Sequence, residues 1–83
     1  MKVHVRYFAS LREALGGGEA VELTPGSTVA ALRDTLVARG GSHAELLARG
    51  RAVRAAVAQV MADETTPLVE GAEVAFFPPV TGG

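Results

Sequence analysis

No cysteine occurs in this 83-residue chain. Neither a disulfide framework nor a thiolate metal site can staple the fold, so a hydrophobic core must hold it alone. A chain this short buries only about 60% of its unfolded surface. Its 25 apolar side chains larger than alanine must then nearly all serve one core, and there is room for a single domain. The lack of cysteine also removes any nucleophilic thiol. The formal charge is −1 at pH 7, carried against seven Arg and one Lys, so the basic stripe of a nucleic-acid-binding domain is not expected. No apolar run approaches the ~20 residues needed to cross a bilayer. No charged-then-apolar leader precedes the first strand, and a cytoplasmic protein with no membrane association is expected.

Lys2 to Ala9 alternates, with Val3, Val5 and Tyr7 on one face and Lys2, His4, Arg6 and Phe8 on the other. That period of two predicts a half-buried strand. Ser10-Leu11-Arg12-Glu13 has the spacing of a capping box and predicts a short helix over Leu11–Leu15, ended by Gly16-Gly17-Gly18. Ala20–Thr24 reads as a second strand, stopped by Pro25-Gly26. The clearest helix comes next, capped by Ser27 or Thr28. Val29, Leu32 and Leu36 repeat on its apolar face with Val37 beside them, and Arg33, Asp34 and Arg39 point elsewhere. Ser42-His43-Ala44-Glu45 is a second capping box, opening a shorter helix that Gly50 stops. Val53–Met61 predicts one strand, and Glu73–Phe77 a last strand ended by Pro78-Pro79, which cannot donate ladder hydrogen bonds.

Strands and helices that do not strictly alternate predict an α+β domain with one mixed sheet. A hairpin, a helix crossing one face and a last strand inserted beside the first make the β-grasp (ubiquitin-like) arrangement, expected over residues 1–77. A ferredoxin-like split βαβ is the fallback, but it needs two full-length helices. Residues 78–83 form an extended C-terminal Gly-Gly tail.

Conventional catalytic patterns are missing. His4 and His43 read as solvated side chains, no metal site is expected, and Gly16-Gly17-Gly18 lacks the Lys-Ser/Thr of a phosphate loop. The carboxylates scatter without an evident acid/base pair. The unusual feature is the end, Phe76-Phe77-Pro78-Pro79-Val80-Thr81-Gly82-Gly83. Two prolines favour a stiff, extended path, and the last two residues carry no side chains. Six residues reach roughly 20 Å at ~3.3–3.6 Å each. Such an arm can thread a narrow channel and deliver a terminal carboxylate to another protein's active site.

The run from Glu70 to Gly83 resembles the C-terminal signature of the molybdopterin synthase small-subunit family, the ubiquitin-like sulfur carriers of molybdenum cofactor biosynthesis. Val3 to Leu15, with Tyr7-Phe8-Ala9 and Leu11-Arg12-Glu13, and Ala55-Ala56-Val57-Ala58-Gln59 resemble it too; related sequences often carry Asn where this chain has Ala58. The resemblance implies a carrier that is no enzyme on its own. The Gly83 carboxylate, a poor acyl electrophile when ionised, would be adenylated by a ubiquitin-activating-like adenylyltransferase that consumes ATP. It would then become a thiocarboxylate by way of an upstream sulfurtransferase or cysteine desulfurase. That sulfur would pass to cyclic pyranopterin monophosphate in an active site of the large synthase subunit, forming the molybdopterin dithiolene. Pro78, Pro79, Val80, Thr81 and Gly82 would thread that site, and this chain would bind no cofactor itself. A carrier for thiamine or tRNA thiolation, a ubiquitin-like modifier and a non-covalent interaction domain are the alternatives.

Strand parity adds a docking face. If Val3, Val5 and Tyr7 face the helix, Phe8 faces away, and Phe77 likewise on the last strand. Neighbouring strands would bring these aromatics together, with Arg12 at the rim. Val57, Gln59 and Met61 would join them if their strand has matching phase. Exposed aromatics and a methionine together suggest a partner site.

Overall fold

Val3, Val5 and Tyr7 are each 2% exposed or less on β1 (Lys2–Tyr7), the period-two burial that the opening alternation predicts. The computed structural model describes residues 1–78. Pro79, Val80, Thr81, Gly82 and Gly83, which carry most of the expected threading tail and its reactive end, lie outside the described residues. β2 (Gly18–Glu22) runs antiparallel to β1, with Val3 opposite Val21 and Arg6 opposite Gly18. It starts before the expected Ala20 because Gly18 lies close against β1. A Cβ there would strike the Val5 carbonyl oxygen, so the pairing extends only because the residue is glycine.

Neither capping box forms. β1 hands over to α1 (Ser10–Leu15) through Ala9, at φ 52°, so Ser10 lies inside the helix and no side chain caps it. The first turn is satisfied instead by backbone carbonyls: Leu11 N–H donates to Phe8 O (3.1 Å) and Glu13 N–H to Ala9 O (3.2 Å). α3 (Gly41–Leu47) likewise begins at the glycines, with Gly40 as N-cap and no side-chain bond. The central helix, α2 (Val29–Val37), is capped as expected: Thr28 Oγ1 accepts from Ala31 N–H at 3.3 Å.

The expected strand Val53–Met61 is instead a hairpin. β3 (Arg54–Val57) and β4 (Val60–Ala62) pair antiparallel, with Val57 opposite Val60. Ala58 and Gln59 make the turn at φ 49° and 67°, a two-residue loop with both central residues left-handed. β-branched residues flank a turn that lacks the usual Asn-Gly or Asp-Gly, so its apolar pattern runs on without a break.

β5 (Glu73–Phe77) closes the sheet, parallel to β1 and antiparallel to β3. The strand order is β2-β1-β5-β3-β4, a mixed sheet with the last strand in the middle. Val3, Val5, Tyr7, Val21, Val74 and Phe76 from the sheet form one buried cluster with Leu11, Val29, Leu32, Leu36 and Leu47 from the helices. The sheet residues share one parity, so among the described residues the helices cover one face and leave the other open. This is the expected β-grasp.

Arg33 departs from expectation. It does not point away from the core but is only 5% exposed. Its guanidinium donates to the carbonyls of Leu47 (2.6 Å), Ala48 (3.1 Å) and Arg51 (3.0 Å) and pairs with Glu64. A cation leaves water at tolerable cost only when its donors find such acceptors. Those acceptors exist because α3 and the segment after it fold back over α2.

Candidate functional site

Phe8 and Phe77 meet at one end of the sheet. Phe8 leaves β1 and donates its N–H to the Phe76 carbonyl at 3.1 Å, which sets it beside the end of β5. Phe8 is 39% exposed, and the Arg6 guanidinium stands over its ring, 5.6 Å from the centroid, in cation–π geometry. Phe77 is half-buried rather than fully exposed, with Arg54 as its cross-strand neighbour. Arg12 is exposed on α1, its own N–H directed at the Phe8 carbonyl.

Met61 joins the open face by a route that the sequence does not show. Arg6, Ala75, Ala56 and Met61 form one row across the sheet, each the register partner of the next. Met61 is 54% exposed, two strands from β5, or roughly 10 Å at ~4.8 Å per strand. Val57 does not belong to this face. It lies opposite Val74 and packs on the core, and Gln59 sits in the turn. The hairpin explains the phase: a two-residue loop pairs residue 57 with 60 and 56 with 61, which swaps the face of everything after the turn. The open face is thus shallow, floored by Ala56 and Ala75 and bounded by Phe8 and Phe77 at one end and Met61 at the edge.

Pro78 follows β5 and lines a groove of about 390 Å³ together with Leu11, Leu46, Arg51 and Val53. The tail leaves from here. Of the expected site residues, the structure brings Phe8, Arg12, Phe77 and Pro78 to this exit and leaves Met61 across the sheet. Parity held the signal for Arg6 as well; Arg54 shares that face only in the phase that turns Val57 to the core. Arg51 had none, because α3 and its following segment reach Pro78 only through the fold.

A second polar cluster lies elsewhere. Glu19 accepts from the Tyr7 hydroxyl at 2.7 Å, contacts His43 Nε2 at 3.1 Å and pairs with Arg39. Burial alone would raise the Glu19 carboxyl, but hydrogen bonds from Arg39, Tyr7 and His43 outweigh it and bring the pKa to about 2. Burial and the neighbouring Glu19 carboxylate push the Tyr7 hydroxyl above its ordinary value. His43 is therefore not a solvated side chain: its ring packs edge-on to Tyr7, centroids 6.2 Å apart. With Glu19 the one carboxylate among them, these groups tie β1, β2 and α3 together and hold no metal set. Among the described residues no helix is long and apolar enough to cross a membrane.

A ThiS family model matches residues 5–83. The molybdopterin synthase sulfur carrier subunit of Escherichia coli (strain K12) is 41% identical over 81 residues, covering 98% of this chain and 99% of that protein. Among solved structures, SAMP1 from Haloferax volcanii superposes with a TM-score of 0.80 at 26% identity, covering 100% of both chains. A chain from the complex of subunits 1 and 2 of the molybdopterin-converting factor of Helicobacter pylori gives 0.70 at 25% identity, again over 100% of both.

Proposed function

We propose, from the premise that this chain belongs to the ThiS family, that it is the sulfur-carrier subunit of a molybdopterin synthase and works on a second, larger subunit. The observation that carries this reading is the full-length likeness to a named carrier in a fold whose last strand delivers the chain to an exposed exit at Pro78.

The chemistry follows from the carboxylate. An ionised carboxylate repels nucleophiles and has no leaving group, so Gly83 must first be activated. Attack of its oxygen on the α-phosphorus of ATP, on an adenylating partner, gives the acyl-adenylate and releases pyrophosphate. The persulfide of a sulfurtransferase then displaces AMP to give an acyl disulfide, and a second thiol of that partner cleaves the S–S bond, leaving the thiocarboxylate on Gly83 and a disulfide on the partner. In the large subunit this sulfur displaces an oxygen substituent from a side-chain carbon of the pterin substrate, cyclic pyranopterin monophosphate, the oxygen taking the C–O bonding pair, and water then cleaves the acyl–sulfur bond to restore the carboxylate. Two rounds supply the two dithiolene sulfurs. The large subunit provides the active site; this chain contributes the nucleophile and the docking face of Phe8, Arg12, Met61 and Phe77. A cytoplasmic carrier fits this chemistry, since the activating partner consumes ATP.

Incubation with the activating enzyme, ATP and a sulfur donor should raise the intact mass by the difference between a sulfur and an oxygen atom. A variant lacking Gly83 should show no gain while melting normally. An unchanged mass of the full chain, or a gain in the shortened one, refutes the mechanism.

A further inference from the structure

Three of the seven arginines are neutralised within the fold: Arg33 by Glu64, Arg39 by Glu19 and Arg49 by Asp34. The other four, Arg6, Arg12, Arg51 and Arg54, have no ion pair among the described residues, and all four stand around the tail exit. Arg6 lies over Phe8, Arg54 is the register partner of Phe77, Arg12 rides on α1 just after Phe8, and Arg51 lines the groove with Pro78. Glu13, next to Arg12 in sequence, pairs with none of them among the described residues, and Arg54 borders a second pocket with Asp63 and Glu64 without forming an ion pair to either. Arg6 and Arg54 thus lie on the open-face side of the exit and Arg51 on the groove side, although the net charge of the chain is −1.

The groove is a built feature. Arg33 holds the carbonyls of Leu47, Ala48 and Arg51, which fixes the backbone that walls it, and Arg51 Nε donates to the Glu45 carbonyl at 3.0 Å. Leu11, Leu46, Val53 and Pro78 make its surface apolar.

We infer that this groove and its four arginines seat the rim of the protein that receives the tail. One apolar side chain of the large subunit enters the groove, and carboxylates beside it meet the arginines. The inference rests on the carrier reading above and adds the chemistry of the partner. Reach sets where the large subunit must sit, and charge sets the chemistry of its rim. Five residues beyond Pro78 span at most roughly 17 Å, so a protein that takes Gly83 into an active site must abut the exit. Unpaired arginines on both sides of it select an acidic rim.

The test is calorimetric titration of the full chain with its large synthase subunit. Arg51→Glu and Ala52→Trp alter the charge and the space of the groove from exposed positions, away from the open sheet face. Lys2→Glu makes the same charge change at the far end of β1. Each groove variant should bind about tenfold or more weakly, with a parent-like melt for Ala52→Trp and a cooperative melt for Arg51→Glu that loses only its exposed bond to the Glu45 carbonyl, and Lys2→Glu should stay within about twofold of the parent. Affinity of the parent should fall by about tenfold or more between low and high salt. Parent-like binding by both groove variants, or equal weakening by Lys2→Glu, overturns the inference. The mass gain at Gly83 is read separately. A gain without the binding contrast removes the seat alone, and the contrast without a gain removes the carrier chemistry alone.

Discussion

Glu19 shows how much a single carboxylate can organise. Its oxygens take a bond from Tyr7 on β1, one from His43 on α3 and the charge of Arg39 between α2 and α3. Because its pKa is lowered in the fold from 4.5 to about 2, the stability that it contributes is complete above 4.5 and is lost as the pH falls from there through about 2. Glu19→Gln keeps the shape but not the charge, so its melting temperature should lie below the parent's at pH 6 and the two should converge near pH 2. Melts across that range check this, and parallel curves would remove Glu19 from the acid response. Asp34 and Asp63, also held low by their hydrogen bonds, leave the variant a residual slope. None of this was legible in sequence, where Glu19 looked solvated. Arg33 is similar: helical phase placed it off the apolar stripe, and only the return of the chain over α2 supplied its acceptors.

Among the elements, the β3–β4 hairpin is the weakest fit between residue and conformation. Ala58 and Gln59 both hold positive φ, where a Cβ crowds the following carbonyl at roughly 1–2 kcal/mol per residue. Both are exposed, so replacing them disturbs no packing. Ala58→Asn with Gln59→Gly installs the residues that such a turn favours, and should raise stability by about 1 kcal/mol in urea titrations. An unchanged or lower stability would mean that the turn relaxes in solution. The long helix, by contrast, was readable with its cap because its period, its Thr28 and its buried stripe all agree. The short helices were readable in place but not in capping, since backbone geometry at Ala9 and Gly40 took over the role assigned to Ser10 and Ser42.

At the scale of the whole molecule the sheet sets a buried aromatic and a half-buried one side by side in one strand, which lets stability and the proposed docking be tested apart. Phe76 is fully buried in the core, and Phe76→Ala should cost about 3–5 kcal/mol, enough to threaten a domain of this size. Phe8→Ala should melt within about 0.5 kcal/mol of the parent and yet weaken binding to the large subunit by about 2 kcal/mol, near thirtyfold. Phe77 is half-buried, so Phe77→Ala should fall between them in stability, near 1 kcal/mol, and still lose affinity. Thermal melts and titrations on the three variants decide. If Phe8→Ala binds as the parent does, the open face is not the docking face.

By itself the sequence determined the alternation of β1 and β5, the apolar stripe of α2, the α+β class and the resemblance carried by its last residues. Each of these is a local pattern, fixed by the period of a strand or a helix or by neighbours in the chain. Only the tertiary structure decided that Val53–Met61 folds back on itself, that Met61 but not Val57 shares the open face, that Arg33 is buried, and that Arg51 comes to line the groove beside Pro78. Those depend on which distant segments meet, and no local period records a partner that lies thirty or seventy residues away along the chain.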